Sequence, residues 1–290
     1  MATFYNQATL SYNGNVTGSN ITTGEIVGVI SANKNATTDS YNSNGNVTYV
    51  INIINSGDTD FTNLTLTDNL GEYTTDSFPD GLTPLNYIAD SVSYYVNGIK
   101  QADPTVSDEE PLTISGLNIP AKSNASVIYT VRTNPFAPLG ENAQITNTAT
   151  ITGDGIVTPV TAEAIVNHSD DANLAISKSL DPAVVPENGT ITYTFNIQNY
   201  GSKAVVDTDD VIFRDNFNPI LNISSVTFNG TPWVLNTDYS YSTTTGDFSS
   251  LDGKITVPAA TYTQDASTGA WAVQPGTSTL VITGTIASTT

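Results

Sequence analysis

Three polar residues occupy positions where an alternating β-strand would point its side chains into a protein core. They are Lys34, Asp68 and Asn147. An amine, a carboxyl group and a carboxamide that are buried together can react, because burial favours the neutral, nucleophilic amine and the protonated carboxyl group that polarises the amide. We therefore predict an isopeptide bond between Lys34 and Asn147, formed with loss of ammonia, with Asp68 handling the proton. Each polar residue lies two and four positions from apolar residues, on the same face of its strand. These residues are Ile30 and Ala32 for Lys34, Leu64 and Leu66 for Asp68, and Ala149 and Ile151 for Asn147.

The same pattern recurs later in the chain. Lys178 and Asp215 again follow apolar residues in phase, but no asparagine occupies the third position. Asn6, near the N-terminus, shares the phase of Ala8 and Leu10, so we predict a bond between Lys178 and Asn6 of another copy, with Asp215 handling the proton. The alternative without covalent chemistry is a buried salt bridge beside a hydrogen-bonded amide, and the sequence leaves both open.

Short strands in two homologous domains are expected to position these residues. Residues 45–57 match residues 189–201 at an offset of 144, and residues 64–70 match residues 211–217 at an offset of 147. Within the matched segments apolar and polar residues alternate, which is typical of half-buried strands. The pattern predicts an all-β fold of two tandem Greek-key, immunoglobulin-like sandwiches.

A third match concerns the first residues of the chain. Residues 6–14 resemble residues 147–155, and residues 23–27 resemble residues 161–165. The N-terminus is therefore predicted to be a hairpin of the kind that closes the first domain, whereas the second domain has no such closing strands. The predicted organisation is a donor hairpin at 1–28, a complete repeat at 29–167, a linker at 168–172 and a repeat lacking its closing strands at 173–290.

A sandwich without its last strands exposes an apolar groove and an unpaired edge, which recruits a strand. Only about six residues separate Val27 from Lys34, so the hairpin reaches a neighbouring molecule more easily than its own second domain. We predict that it completes the second sandwich of the next copy, and that this open head-to-tail contact builds a fibre. Nine residues lead from Glu25 to Lys34 and fifteen from Glu163 to Lys178, so the joint between copies should be the tighter one.

Composition argues against several classes of function. The net charge is −20, from 28 acidic and 8 basic residues, which disfavours binding to nucleic acid or to an anionic membrane. There is no cysteine, and the one histidine, His168, lies in a polar stretch that is predicted to be a linker. No enzyme activity, cofactor or metal is expected beyond the self-catalysed bonds. The N-terminus has neither the basic start nor the apolar core of a signal peptide, and no wall anchor is evident.

Several motifs of the chain are similar to a conserved repeat of bacterial surface proteins, the family known as domain of unknown function eleven. The motifs lie at residues 174–182, 189–193, 199–201, 215–217 and 147–150. The resemblance implies immunoglobulin-like stalk or adhesin modules outside the cell, and Gram-positive pilin and adhesin domains of this kind are known for isopeptide bonds. The length and two-repeat layout also resemble fibre proteins that coat clostridial-type endospores, which implies a spore surface.

The sequence is best explained as the structural subunit of a head-to-tail homopolymer on a bacterial, in particular a spore, surface. Two alternatives stay open, an adhesin or carbohydrate-binding stalk module and a surface-layer component. The hairpin favours the fibre, because a stalk module has no need of an opening segment that matches its own missing end.

Overall fold

Strands make up almost all of the regular structure. The computed structural model describes residues 2–287, with side chains from Thr3 onward. Among these residues the single helical element is a three-residue 3-10 turn at Asp207–Asp209, so the prediction of an all-β fold is confirmed. No described helix could span a membrane. The described residues form two compact units. The first contains residues 2–138, 143–168 and 266–270, and the second contains residues 139–142, 169–265 and 271–287.

The first unit begins with the N-terminal hairpin (residues 2–26). Its strand β1 (Ala2–Asn6) pairs with β4 (Thr22–Ile26), and β2 (Thr9–Tyr12) pairs with β3 (Asn15–Gly18). The turn residues Asn13 and Gly14 have φ angles of 48° and 80°, as a two-residue hairpin turn of type I′ requires. Nearly all of the described side chains of the hairpin are exposed.

Fourteen strands form the rest of the first unit, the first sandwich. They are β5 (Ile30–Ala36), β6 (Ser40–Tyr41), β7 (Asn46–Asn55), β8 (Phe61–Asp68), β9 (Tyr73–Thr75), β10 (Phe78–Leu82), β11 (Leu85–Tyr87), β12 (Ser93–Val96), β13 (Ile99–Lys100), β14 (Thr105–Glu109), β15 (Leu112–Ile119), β16 (Ser123–Thr133), β17 (Gln144–Thr152) and β18 (Val160–His168).

Two sheets of the first sandwich enclose one core. The first sheet has the order β13-β12-β16-β7-β5, with β11 also paired to β16, and the second has the order β14-β15-β8-β17-β18-β6. The chain changes sheet between β7 and β8 and again between β15 and β16, as in Greek-key sandwiches. Strict alternation along β7 and β16 turns every second side chain into the shared core.

The strands β17 and β18 form a closing hairpin that shields the first sandwich. Strand β17 pairs with β8, with Ala149 opposite Asp68, and β18 packs beside β5. The prediction that His168 belongs to a linker is wrong, because it is the last residue of β18 and only 8% exposed. Its backbone N–H donates to the Ala143 carbonyl, and its ring lies edge-on to Tyr41, which explains how a polar stretch is held in the sheet.

The second unit contains the second sandwich. Its strands are β19 (Leu174–Asp181), β20 (Thr190–Asn199), β21 (Arg214–Asn216), β22 (Leu221–Phe228), β23 (Thr231–Pro232), β24 (Tyr239–Tyr241), β25 (Asp247–Ser250), β26 (Thr261–Gln264), β27 (Trp271–Gln274) and β28 (Gly276–Ile286).

The second sandwich repeats the first, apart from the closing strands. The order β19-β20-β28-β22-β23 corresponds to β5-β7-β16-β12-β13, and β21-β25-β24 corresponds to β8-β15-β14. Among the described residues no strand pairs with the outer edge of β21, where β17 would lie. Every residue of β19 is exposed, and only three residues of the segment that corresponds to β8 form a strand.

Candidate functional site

A lysine–aspartate pair links the two sheets inside the first sandwich. Lys34 projects inward from β5, and Asp68 projects inward from the last position of β8. The Lys34 Nζ atom lies 2.5 Å from Asp68 Oδ2, and both side chains are fully buried. The pair was expected from the alternation of the strands, since both residues share the phase of their apolar neighbours.

The Asp68 carboxylate accepts two further hydrogen bonds. The Tyr129 hydroxyl donates to Oδ2, and the Leu70 backbone N–H donates to Oδ1 at 3.0 Å. Burial, followed by the negative charge of Asp68, raises the pKa of Tyr129 well above its ordinary value, so the phenol keeps its proton and can donate. Three donors therefore hold the buried carboxyl group in one position.

Asn147 is brought to the same place by β17. It is fully buried, and its Oδ1 atom accepts from the Gly71 backbone N–H at 3.1 Å. Its Nδ2 atom makes no hydrogen bond of ordinary geometry to the described residues, and the same holds for the Tyr49 hydroxyl. The carboxamide nevertheless opposes the rise that burial causes in the pKa of Tyr49 and Tyr129.

The surroundings of Lys34 favour its neutral form. Burial lowers the pKa of Lys34 to about 8, against the opposing attraction of Asp68, so roughly a tenth of the amines would be neutral at pH 7. The Nζ atom also lies 4.6 Å from the centre of the Tyr49 ring. The cluster thus combines a nucleophilic amine, a carbonyl oxygen held by a backbone N–H, and a carboxyl group that can take or give a proton.

The second sandwich contains the corresponding pair in an open setting. The Lys178 Nζ atom lies 2.5 Å from Asp215 Oδ2, but the two side chains are 42% and 19% exposed. The rings of Tyr193, Phe195 and Phe217 lie 4.6, 5.2 and 5.4 Å from that nitrogen, which holds the ammonium group in place.

Two features of the first site are missing from the second. Strand register places Ile282 opposite Tyr193, where the first sandwich has Tyr129 opposite Tyr49, so no phenol corresponds to Tyr129. Among the described residues no strand pairs with the edge of β21 that corresponds to the place of β17, so no residue takes the position of Asn147. The second site is therefore an amine and a carboxylate without an amide partner.

Asn6, the predicted partner of Lys178, lies at the end of β1 in the exposed N-terminal hairpin. Several large apolar residues of this hairpin are also exposed, and they include Phe4, Tyr5, Leu10, Tyr12, Val16 and Ile21. Such a concentration of apolar surface on a two-stranded hairpin is typical of a segment that is buried in another context.

The register of the N-terminal hairpin differs from that of the closing hairpin. Asn6 pairs with Thr22, whereas Asn147 pairs with Ala164, which corresponds to Ile26 in the sequence match. The displacement is four residues for β1 and β4, so a shift into the register of the closing hairpin would leave the side chains of these two strands on their present faces. It is five residues for β2 and β3, where Leu10 pairs with Thr17, so one of these two strands would have to turn over.

Tyr49 and Tyr129 were not anticipated as members of the site. Their signal in the sequence is weak, since a tyrosine in the core phase of a strand is ordinary, but a buried hydroxyl requires a polar partner. Trp233 stacks on Phe228, with ring centres 5.1 Å apart, which gives it a packing role. No group of three or more residues suited to hold a metal occurs in the described part of the chain.

Comparison with known proteins does not assign the chain to a family. No family model and no curated protein sequence matches the chain. Among solved structures, the major pilin subunit BcpA of Bacillus cereus is 11% identical, with 86% of this chain and 65% of the pilin covered and a TM-score of 0.34. The pilus backbone protein RrgB of Streptococcus pneumoniae is 13% identical, with 85% of this chain and 55% of that protein covered and a TM-score of 0.32.

A collagen-binding subdomain of an Enterococcus faecalis surface protein is 10% identical, covering 50% of this chain and all of the subdomain, with a TM-score of 0.32. Parts of glycoside hydrolases are also among the similar structures. The neighbours thus include pilus subunits and adhesin domains, and similarity at this level assigns no function to this chain.

Proposed function

We propose that the protein is the subunit of a head-to-tail fibre, in which the N-terminal hairpin of one copy completes the second sandwich of the next. The observation that carries the proposal is the contrast between two equivalent sites. The Lys34–Asp68 pair is sealed by β17 and β18, whereas Lys178–Asp215 is partly exposed beside the free edge of β21. The segment that most resembles the sealing strands is the exposed N-terminal hairpin.

The register of the first sandwich specifies how the hairpin would dock. Strand β17 places Ala149 opposite Asp68 and Ile151 opposite Leu66. The sequence matches translate these pairs into Ala8 opposite Asp215 and Leu10 opposite Phe213 of the neighbouring copy. Docking would pair the free edge of β21, cover the exposed face of β19 and bury apolar side chains of the hairpin.

In this arrangement Asn6 stands beside Lys178 and Asp215, as Asn147 stands beside Lys34 and Asp68. Docking would remove water from Lys178, which favours its neutral amine. The amine then attacks the Asn6 side-chain carbonyl carbon while the Asp215 carboxyl group protonates the oxygen. Asp215 takes the proton of the attacking nitrogen and passes it to the amide nitrogen, which leaves as ammonia. The hydroxyl proton returns to Asp215 as the C=O bond forms again. Positioning and desolvation supply the catalysis without a cofactor.

The same chemistry is proposed within the first sandwich, between Lys34 and Asn147. There all three groups belong to one chain, so the bond would form as that sandwich folds. The bond between copies would instead form only after docking, which makes polymerisation the step that completes the site. The bacterial and spore-surface setting implied by the family resemblance stays a prediction.

Removal of the hairpin tests the proposal. A chain of residues 28–290 should form no fibres in electron microscopy, and a separate peptide of residues 1–29 should bind it and raise the melting temperature of the second sandwich. A control peptide with Leu10→Asp should not, because its charge would enter the apolar groove. Fibres of unchanged appearance from the truncated chain would contradict the proposal.

A further inference from the structure

The end of the closing hairpin forms a small parallel contact in the first sandwich. The last two residues of β18 pair with β6, so that Asn167 lies opposite Ser40 and His168 opposite Tyr41. Ser40 and Asn167 are both exposed, whereas Tyr41 and His168 are buried. The outer pair of this contact is polar, as expected for side chains in water.

The second sandwich repeats the loop that contains β6. Both loops end on a left-handed asparagine, Asn44 with φ 57° and Asn188 with φ 60°. Each is followed by a glycine whose N–H donates to the carbonyl three residues earlier, at 3.0 and 2.8 Å. Since the loops have equal length, Val184 occupies the place of Ser40 and Val185 the place of Tyr41. Val185 packs on the core, but the Val184 side chain is 88% exposed.

An apolar pocket of about 150 Å³ lies at the base of the first sandwich. Its wall includes residues 26–30, which connect the N-terminal hairpin to β5. The Val29 carbonyl accepts from the Ser56 N–H at 2.9 Å and from the Ser56 hydroxyl at 3.0 Å, so this wall is fixed to the sandwich. We call this the joint pocket, and its other apolar walls are Phe61, Ile156, Val157 and Val160.

We infer that the joint pocket receives the 182–186 loop of a second copy, with Val184 against Val29. The inference rests on the proposed function. The sequence match that aligns Glu25 with Glu163 makes Val29 the counterpart of Asn167 and Ile30 the counterpart of His168. A docked hairpin would therefore place Val29 opposite Val184 of the copy that it completes.

The side chains are suited to a buried joint. The polar outer pair of the first sandwich is replaced by two valines. Ile30 stays in its own copy, where it pairs with Asn55 and packs on the first core. Apolar side chains gain from leaving water, whereas Ser40 and Asn167 remain in it. This contact explains why Val184 is strongly exposed in a single copy, and it fixes the angle between successive copies through the short connection at residues 27–29.

An engineered disulfide tests the contact, because the chain has no cysteine of its own. Residues opposite each other on neighbouring strands lie within the distance that a disulfide requires. In a Val29→Cys/Val184→Cys variant, mild oxidation should join the peptides of residues 29 and 184 in fibres and not in monomers, as read by mass spectrometry. A Val29→Cys/Val234→Cys control, with its second cysteine at another exposed valine, should give no such link.

The introduction of a charged side chain at the joint contact provides a second test. Val184→Asp should raise the protein concentration needed for fibre growth at least tenfold, while Val234→Asp, with the same added charge, should leave it unchanged. Three results would overturn the joint contact and leave the proposed function unaffected. They are fibres in which the disulfide does not form, a disulfide that forms within monomers, and normal fibre growth of Val184→Asp. Failure of the unmodified chain to form fibres would overturn both.

Discussion

The two sandwiches hold the same lysine–aspartate pair at the same distance of 2.5 Å, but in different surroundings. In the first sandwich both side chains are inaccessible to water, and in the second the lysine is 42% exposed. The strands that carry the pairs correspond, so the difference comes from β17 and β18, which cover only the first pair. Burial of the reactive groups is thus a property of the closing strands, and a segment that supplies such strands from another molecule would control when burial occurs.

Removal of the lysine should give the largest difference in stability between the two sandwiches. In an Asn147→Ala background, where Lys34 remains a free amine, Lys34→Met would leave Asp68 buried without its cation, at a cost of about 3–5 kcal/mol in the free energy of unfolding of the first sandwich. The matched Lys178→Met change in unpolymerised protein should cost about 0–1 kcal/mol, because water already solvates that pair. Calorimetry of the two variants measures both values, and equal losses would show that the burial difference has no energetic consequence.

The pH dependence of stability should separate a free Lys34 from a bonded one. In an Asn147→Ala variant the lysine remains an amine, with a pKa of about 8 in the folded protein and 10.5 when unfolded. The unfolded chain then binds more protons between these values, so stability should rise by roughly 2 kcal/mol from pH 8 to pH 10. Above pH 10 it should fall, because burial raises the pKa of Tyr49 and Tyr129 and keeps them protonated only in the folded state.

In the unmodified chain a Lys34–Asn147 bond would remove the titrating amine, and the rise between pH 8 and pH 10 should be absent. A Lys34→Met/Asn147→Ala variant serves as the control and should also lack the rise. Denaturant titration at each pH measures the free energy of unfolding. An identical rise in the unmodified chain and in Asn147→Ala would show that the bond does not form.

The two tyrosines of the first site offer the smallest and sharpest contrast. Tyr129→Phe deletes the hydroxyl that donates to Asp68 and should cost about 2 kcal/mol in unfolding free energy. Tyr49→Phe deletes a buried hydroxyl without a hydrogen-bond partner of ordinary geometry, so its effect should lie within about 0.5 kcal/mol. A larger loss from Tyr49→Phe, measured by urea denaturation, would mean that this hydroxyl bonds the Asn147 carboxamide.

Period-two alternation was sufficient to place Lys34, Asp68 and Asn147 on the core-facing side of their strands, because strand geometry is local and strict. The match between Asn6 and Asn147 likewise depended on sequence alone. Tyr129 could not be assigned to the site in this way, since its contact with Asp68 joins residues 61 positions apart in different sheets.

Local structure could not be predicted from the sequence where tertiary contacts determine it. His168 looked like part of a polar linker, yet pairing with β6 and contact with Tyr41 keep it in the sheet. The match between the two hairpins also left their register undefined, and beside the tight Asn13–Gly14 turn the pairing of β2 with β3 lies five residues from that of the closing hairpin. Turn chemistry fixes the register of a hairpin that has no neighbour to pair with.

Assembly by exchange of the N-terminal hairpin is tested most directly by finding which copy supplies the amide of the second site. Subunits labelled with ¹⁵N and unlabelled subunits would be mixed before assembly, and the fibres digested for mass spectrometry. Completion of the site by another copy predicts a branched peptide in which the Asn6 segment is joined to the Lys178 segment with loss of ammonia. With equal amounts of the two kinds of subunit, about half of these peptides should combine one labelled and one unlabelled part. Branched peptides of a single isotope only, or separate unmodified segments in well-formed fibres, would contradict completion of the site by another copy.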